Sequence, residues 1–169
     1  MTALSRTIMS LIWVVLFVAT IFMWALAFSG DFEFVSDFFE LQAVPPAPPV
    51  WAILGCSIVM VSALSALGWS FWNMSRMLTH PTEKPFVFLA LRLRRAAYGF
   101  IGFWFGSVVI WRLAPFLLTL NAPVELKPSM DWIFIDDEAV LLAIAIVFLA
   151  LSKSLMRAHE IEQENKQII

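Results

Sequence analysis

Arg112 stands in the stretch FGSVVIWRLAPFLL (105–118), where every other residue suits lipid and no other charge occurs. A permanently charged guanidinium there either snorkels to the membrane surface on its aliphatic stem or pairs with an acid inside a bundle. The candidate partners are Asp136 and Asp137, at the head of the next apolar run. Pro115 removes a helix hydrogen bond and loosens the same turn. Arg112, Asp136 and Asp137 are therefore the candidate outer polar pocket. The adjacent carboxylates of Asp136, Asp137 and Glu138 also have the chemistry to bind a hard cation or share a proton. Three consecutive residues on a starting helix point in different directions, however, and acids at a helix N-terminus suit its macrodipole. Capping and interfacial charge is the expectation.

The remaining reactive residue types are sparse. His80 and His159 both lie outside the apolar runs, so this chain offers no histidine pair for an intramembrane haem. Cys56 is the sole cysteine and lies within an apolar run, which permits no intrachain disulfide and no cysteine zinc cluster. No Gly-rich phosphate loop, nucleophile elbow or His-Glu-x-x-His pair is present. The expectation is a non-enzymatic protein with no cofactor, no metal and no direct nucleic-acid contact.

The elements that position these residues follow from composition. Apolar residues make up 61% of the 169 and charged residues 14%, against roughly 45–50% and about 25% in soluble chains. Charge is also excluded in blocks: 8–28 and 50–74 hold no Asp, Glu, Lys or Arg, 96–120 holds only Arg112, and 139–152 with its flanks is a fourth, shorter run. A helix crosses a bilayer core in roughly 20 apolar residues, and lipid forces the backbone to satisfy its own hydrogen bonds. The expected fold is an all-α membrane protein, a single domain of four transmembrane helices at about 8–28, 50–74, 96–120 and 136–156, with a helical tail at 157–169. In that frame Arg112 lies about 24 Å along the third helix, well past the bilayer centre. The segment ALAFSG (25–30) has small residues where a signal peptidase cuts. The run before it exceeds the roughly 7–15 residues of a signal h-region and carries Trp13 and Trp24, so a retained anchor is expected.

Orientation follows from Lys and Arg, which stay cytoplasmic on insertion. Segment 30–49 holds Asp31, Glu33, Asp37 and Glu40 and no basic residue, whereas 73–95 holds Arg76, Lys84, Arg92, Arg94 and Arg95. Segment 121–138 has Lys127 against Glu125, Asp131, Asp136, Asp137 and Glu138, and the tail carries Lys153, Arg157 and Lys166. Both termini are expected in the cytoplasm. Between the first two helices, VPPAPPVW (44–51) reads as a stiff extended lead with Trp51 at headgroup level. Before it, DFEFVSDFFE (31–40) reads as a short amphipathic helix with Phe34, Phe38 and Leu41 on one face, or as a loop with membrane-dipping rings.

Gly99, Gly102 and Gly106 form a small-residue face of the GxxxG kind. It serves either packing inside the bundle, against Ala52, Cys56, Ser62 or Ala66, or contact with another subunit. In the tail, Leu151, Leu155, Ala158, Ile161, Asn165 and Ile168 recur at helical spacing, and Glu162 and Lys166 form a favourable i, i+4 pair. That stripe either docks a partner or folds back so that Glu160, Glu162 and Glu164 meet Arg92, Arg94 and Arg95. The candidate cytoplasmic docking residues are Arg92, Arg94, Arg95, Ile161, Glu162, Glu164 and Asn165.

KPFVFLALRLRRAAYGF (84–100) and LMRAHEIEQENKQII (155–169) are similar to two recurring segments of a bacterial membrane family, the domain of unknown function two-nine-seven-five. The resemblance rests on the pair Pro85 and Phe86, the entry at 91–95 and the tail at 162–165, and departs from the family at Lys84 and at the final KQII. It implies a four-helix protein of the bacterial inner membrane, encoded beside a small cytoplasmic helix-turn-helix regulator. Two functions are expected from these features together: a membrane sensor or tether for such a regulator, or an accessory subunit of a larger membrane complex. An oligomeric transporter is a distant third.

Overall fold

The computed structural model describes residues 2–41, 47–77, 85–127 and 136–167. They form α1 (Thr2–Ser29), a short α2 (Glu33–Phe38), α3 (Val50–Met77), α4 (Pro85–Leu118), a 3-10 turn (Val124–Leu126) and α5 (Asp136–Gln167), with no strand among the described residues. Helices α1, α3, α4 and α5 are each long and apolar enough to cross a membrane. Large apolar side chains cover their outer faces, Leu11, Val15, Trp69 and Phe105 among them, each more than half exposed. So much apolar surface suits lipid and not water.

The start of α4 departs furthest from expectation. Helix α4 begins at Pro85, ahead of the expected start near 96. Its first turns are rich in Leu, Ala and Arg, strong helix formers that a count of apolar residues passes over, and Pro85 occupies a first-turn position where a missing N–H costs nothing. Arg92, Arg94 and Arg95 are therefore helical residues and not part of a loop. Helix α5 runs without a break from Asp136 to Gln167, starting where expected and continuing as a helix through most of the tail. The Pro-rich lead falls partly outside the described residues, at 42–46.

Helix α1 stops at Gly30, whose φ of +94° is the left-handed conformation that favours glycine. Its N–H donates to the Ala27 carbonyl and the Asp31 N–H to the Leu26 carbonyl, a Schellman motif. Helix α2 ends the same way on Glu40, with bonds from Glu40 N to Asp37 O and from Leu41 N to Ser36 O. Here a glutamate, and not a glycine, takes the positive φ of 51°.

The bundle is packed in series. Among the described residues α1 lies on α3, α3 on α4 and α4 on α5, while α2 touches α1. All three long pairs are antiparallel. Met23, Trp24 and Ala27 of α1 share a core with Ile53 and Cys56 of α3 and with Ile110, Ala114 and Leu118 of α4. Phe100 of α4 meets Phe71 of α3 and Phe148 of α5 edge to face, in a second core with Leu64, Leu67, Ala97 and Ala145. The α3/α4 seam is the closest. A Cβ added at Gly106 would come within 2.6 Å of the Ala63 methyl, one at Gly102 within 3.3 Å of the Ala66 methyl, and one at Gly99 within 2.6 Å of the Ala66 carbonyl and onto Ser70 Oγ. The glycine face is thus occupied by α3 of the same chain. Of the surfaces considered opposite it, Ala66 is used, Ser62 is exposed, and Ala52 and Cys56 are buried nearer the other end.

Candidate functional site

The antiparallel order collects most of the acids at one end and most of the bases at the other, with Arg112 and Lys127 at the acidic end and Glu160, Glu162 and Glu164 at the basic one. The acidic end gathers the C-termini of α1 and α4 with the N-termini of α3 and α5. Helix α2 caps it, with one face buried and Phe34 and Phe38 on the outward one. Phe32, Val35, Ser36 and Phe39 are buried, whereas Phe34 and Phe38 are 50% and 37% exposed. Phe38 stacks on Trp111 with ring centroids 5.3 Å apart, and Phe39 meets the same indole edge to face at 5.4 Å. Beneath this aromatic lid lies a cavity of about 290 Å³ between α1, α3 and α4, with Thr20, Met60, Ser107 and Ile110 in its wall.

Arg112 follows Trp111 on α4 and is half-buried. Asp136 and Asp137 open α5 at this same end, and their side chains lie outside the described residues. At the end of α4, beyond Arg112, the Pro115 carbonyl accepts from both the N–H and the hydroxyl of Thr119, at 3.2 and 2.6 Å. Asn121 Nδ2 donates to the Ala47 carbonyl at 3.0 Å, tying the two connections of the acidic end together.

The basic end carries a polar clasp that reasoning from sequence missed. Asn73 of α3 is fully buried, donates to the Trp69 carbonyl of its own helix, and accepts from Arg92 Nη1 of α4 at 3.0 Å. One turn deeper, Ser70 Oγ donates to the Ala96 carbonyl of α4 at 2.8 Å. On the other side of α4, Ser152 of α5 donates to the Ala90 carbonyl at 2.8 Å. Bonds of this kind stitch helices together where lipid offers no partner. Arg92 thus ties α4 to α3 and lies over the Phe88 ring. Arg94 and Arg95 are exposed, with Arg94 held over Tyr98 by a bond from Nε to the phenol oxygen.

On α5, Ile161 is 51% exposed, Glu164 and Asn165 are exposed, and half-buried Glu162 accepts from Lys166. Among the described residues no ion pair joins Glu160, Glu162 or Glu164 to Arg92, Arg94 or Arg95, so the fold-back contacts are not formed. The α1/α3 pair was also missed. Trp13 Nε1 donates 2.8 Å to the Leu64 carbonyl, and its indole lies flat where a side chain on Gly68 would stand. Beside it a groove of about 600 Å³ opens between the two helices.

No family model, curated protein or solved structure matches this chain.

Proposed function

We propose that the chain is a non-enzymatic integral membrane protein that tethers a soluble partner on the side where both termini lie. The observation that carries this reading is the reach of α5. Ser152 is level with Ala90 in an antiparallel pair, which brings Pro85, the first residue of α4, about level with 157. Residues 158–167 then extend past the end of α4 by roughly 15 Å. Their exposed surface mixes Ile161 with Glu164 and Asn165, next to exposed Arg157. An apolar anchor in a charged rim is the usual make-up of a helix that docks in a partner's groove. In this reading both termini face the cytoplasm of a bacterial inner membrane, and the partner is the small helix-turn-helix regulator implied by the resemblance. The segregation of Arg and Lys from Asp and Glu supports that orientation.

Deletion of 158–169 tests the role. Membrane insertion is expected to survive, because the four spans and the clasp remain, while co-purification of the regulator is lost. Undiminished recovery overturns it. A second reading, an accessory subunit of a larger membrane complex, is favoured by α1. Its N-terminal half buries no side chain among the described residues and exposes Leu11, Ile12, Val14 and Val15. Stoichiometric membrane subunits retained after the tail is removed would support it.

A further inference from the structure

We propose that the groove between α1 and α3 is a binding site for an anionic glycerophospholipid, with an acyl chain in the groove and the phosphate at Arg6 and Arg76. The groove exists because α1 packs closely on the bundle through its C-terminal half and meets α3 nearer the N-terminus chiefly through Trp13. Met23, Trp24 and Ala27 pack into the core, whereas nearer the N-terminus the indole of Trp13, set against Gly68, spaces α1 from α3. The resulting cleft of about 600 Å³ lies within the roughly 300–1,000 Å³ of small-molecule sites. Its walls include Met9, Ser10, Trp13, Gly68, Trp69 and Trp72. Broad indoles and small residues make a smooth apolar slot on a membrane-facing surface.

Both walls end in arginine at the same end. On α1 the lining positions 9, 10 and 13 continue one turn back to Arg6, and on α3 positions 65, 68, 69, 72 and 75 continue to Arg76. Helical spacing of three and four keeps each arginine on its groove-lining stripe. The Arg76 guanidinium sits 4.7 Å from the Trp72 ring centroid, which holds the cation at the rim of the groove. Arg6 is exposed. These helix ends carry the tryptophans and cations of a membrane interface, the level at which a headgroup lies when its chain runs into the bilayer. Arginine grips a phosphate through two parallel N–H bonds, and cations near an interface add a preference for anionic lipid. The combination selects a lipid and not a soluble anion, because the phosphate site has an apolar slot attached.

Native mass spectrometry of the full chain in detergent, titrated with phosphatidylglycerol or with phosphatidylcholine of the same acyl length, tests the site. The first phosphatidylglycerol is expected to bind at least about tenfold more tightly than the first phosphatidylcholine. Arg6→Gln with Arg76→Gln should abolish that preference, while Arg94→Gln with Arg95→Gln, which removes equal charge from the same end outside the groove, should retain it. Ser65→Leu, which fills the groove from an exposed position whose hydroxyl bonds only its own helix, should weaken both lipids. Equal binding of the two lipids, or the same loss from either arginine pair, would mean annular lipid only and overturn the site. So would a lipid-free dimer that Ser65→Leu dissociates, which would assign the groove to a second copy.

Discussion

Arg92 and Arg112 show how one residue type takes different work from its surroundings. Arg92 lies where α3 and α4 come together and spends a guanidinium N–H on buried Asn73. Asn73→Ala is expected to cost about 1 kcal/mol, the scale of an interhelical hydrogen bond in a membrane protein, read as a lower unfolding temperature in detergent; an unchanged temperature would make the bond incidental. Arg112 is half-buried at the acidic end, and its pairing with Asp136 or Asp137 is a proposal. Pairing predicts that Arg112→Leu lowers thermal stability, and that the loss shrinks in an Asp136→Asn, Asp137→Asn background. Effects that simply add, with Arg112→Leu harmless, would make it a snorkelling anchor. Asn73, Ser70 and Ser152 drew no notice in the sequence. Asn73 is one polar residue near the end of an apolar run, and its partner Arg92 looked like part of a solvated loop. Only the antiparallel register of α3 and α4 brings them together.

At the scale of elements, hydropathy made the four long helices legible, because each contains a run that only lipid or a core accepts. Their ends were less legible. The start of α4 is coded by helix propensity in LRLRR (91–95), which carries charge on an exposed face while keeping a helical backbone. The glycine face was legible from spacing alone, since a stripe at 99, 102 and 106 can serve close approach; its partner was not, because small residues recur all along α3. Gly106→Leu is expected to destabilise by about 1–3 kcal/mol, the scale of overpacking a close seam, because a side chain there meets Ala63. Leucine accommodated with no loss of stability would mean the seam is looser than its geometry. At the end of α2, Glu40→Gly should stabilise by up to about 1 kcal/mol, since a positive φ is costly for glutamate and natural for glycine. A lower unfolding temperature for that variant would show the glutamate side chain holding the turn.

At the scale of the whole molecule, the four spans form a row with chemically opposite ends. The acidic end is closed by an aromatic lid and tied by Asn121 to the α2–α3 connection. The basic end is clasped through Asn73, Ser70 and Ser152 and extended by α5. The tether proposal depends on which end faces the cytoplasm. Single cysteines in a Cys56→Ala background, probed with an impermeant maleimide, test that most directly. Glu33 and Glu125 are exposed at the acidic end and Gln163 is exposed on the tail. Glu33→Cys and Glu125→Cys are expected to label in intact cells, and Gln163→Cys only after the membrane is opened. Labelling of Gln163→Cys in intact cells, with Glu33→Cys and Glu125→Cys protected, would contradict the orientation and with it the cytoplasmic tether.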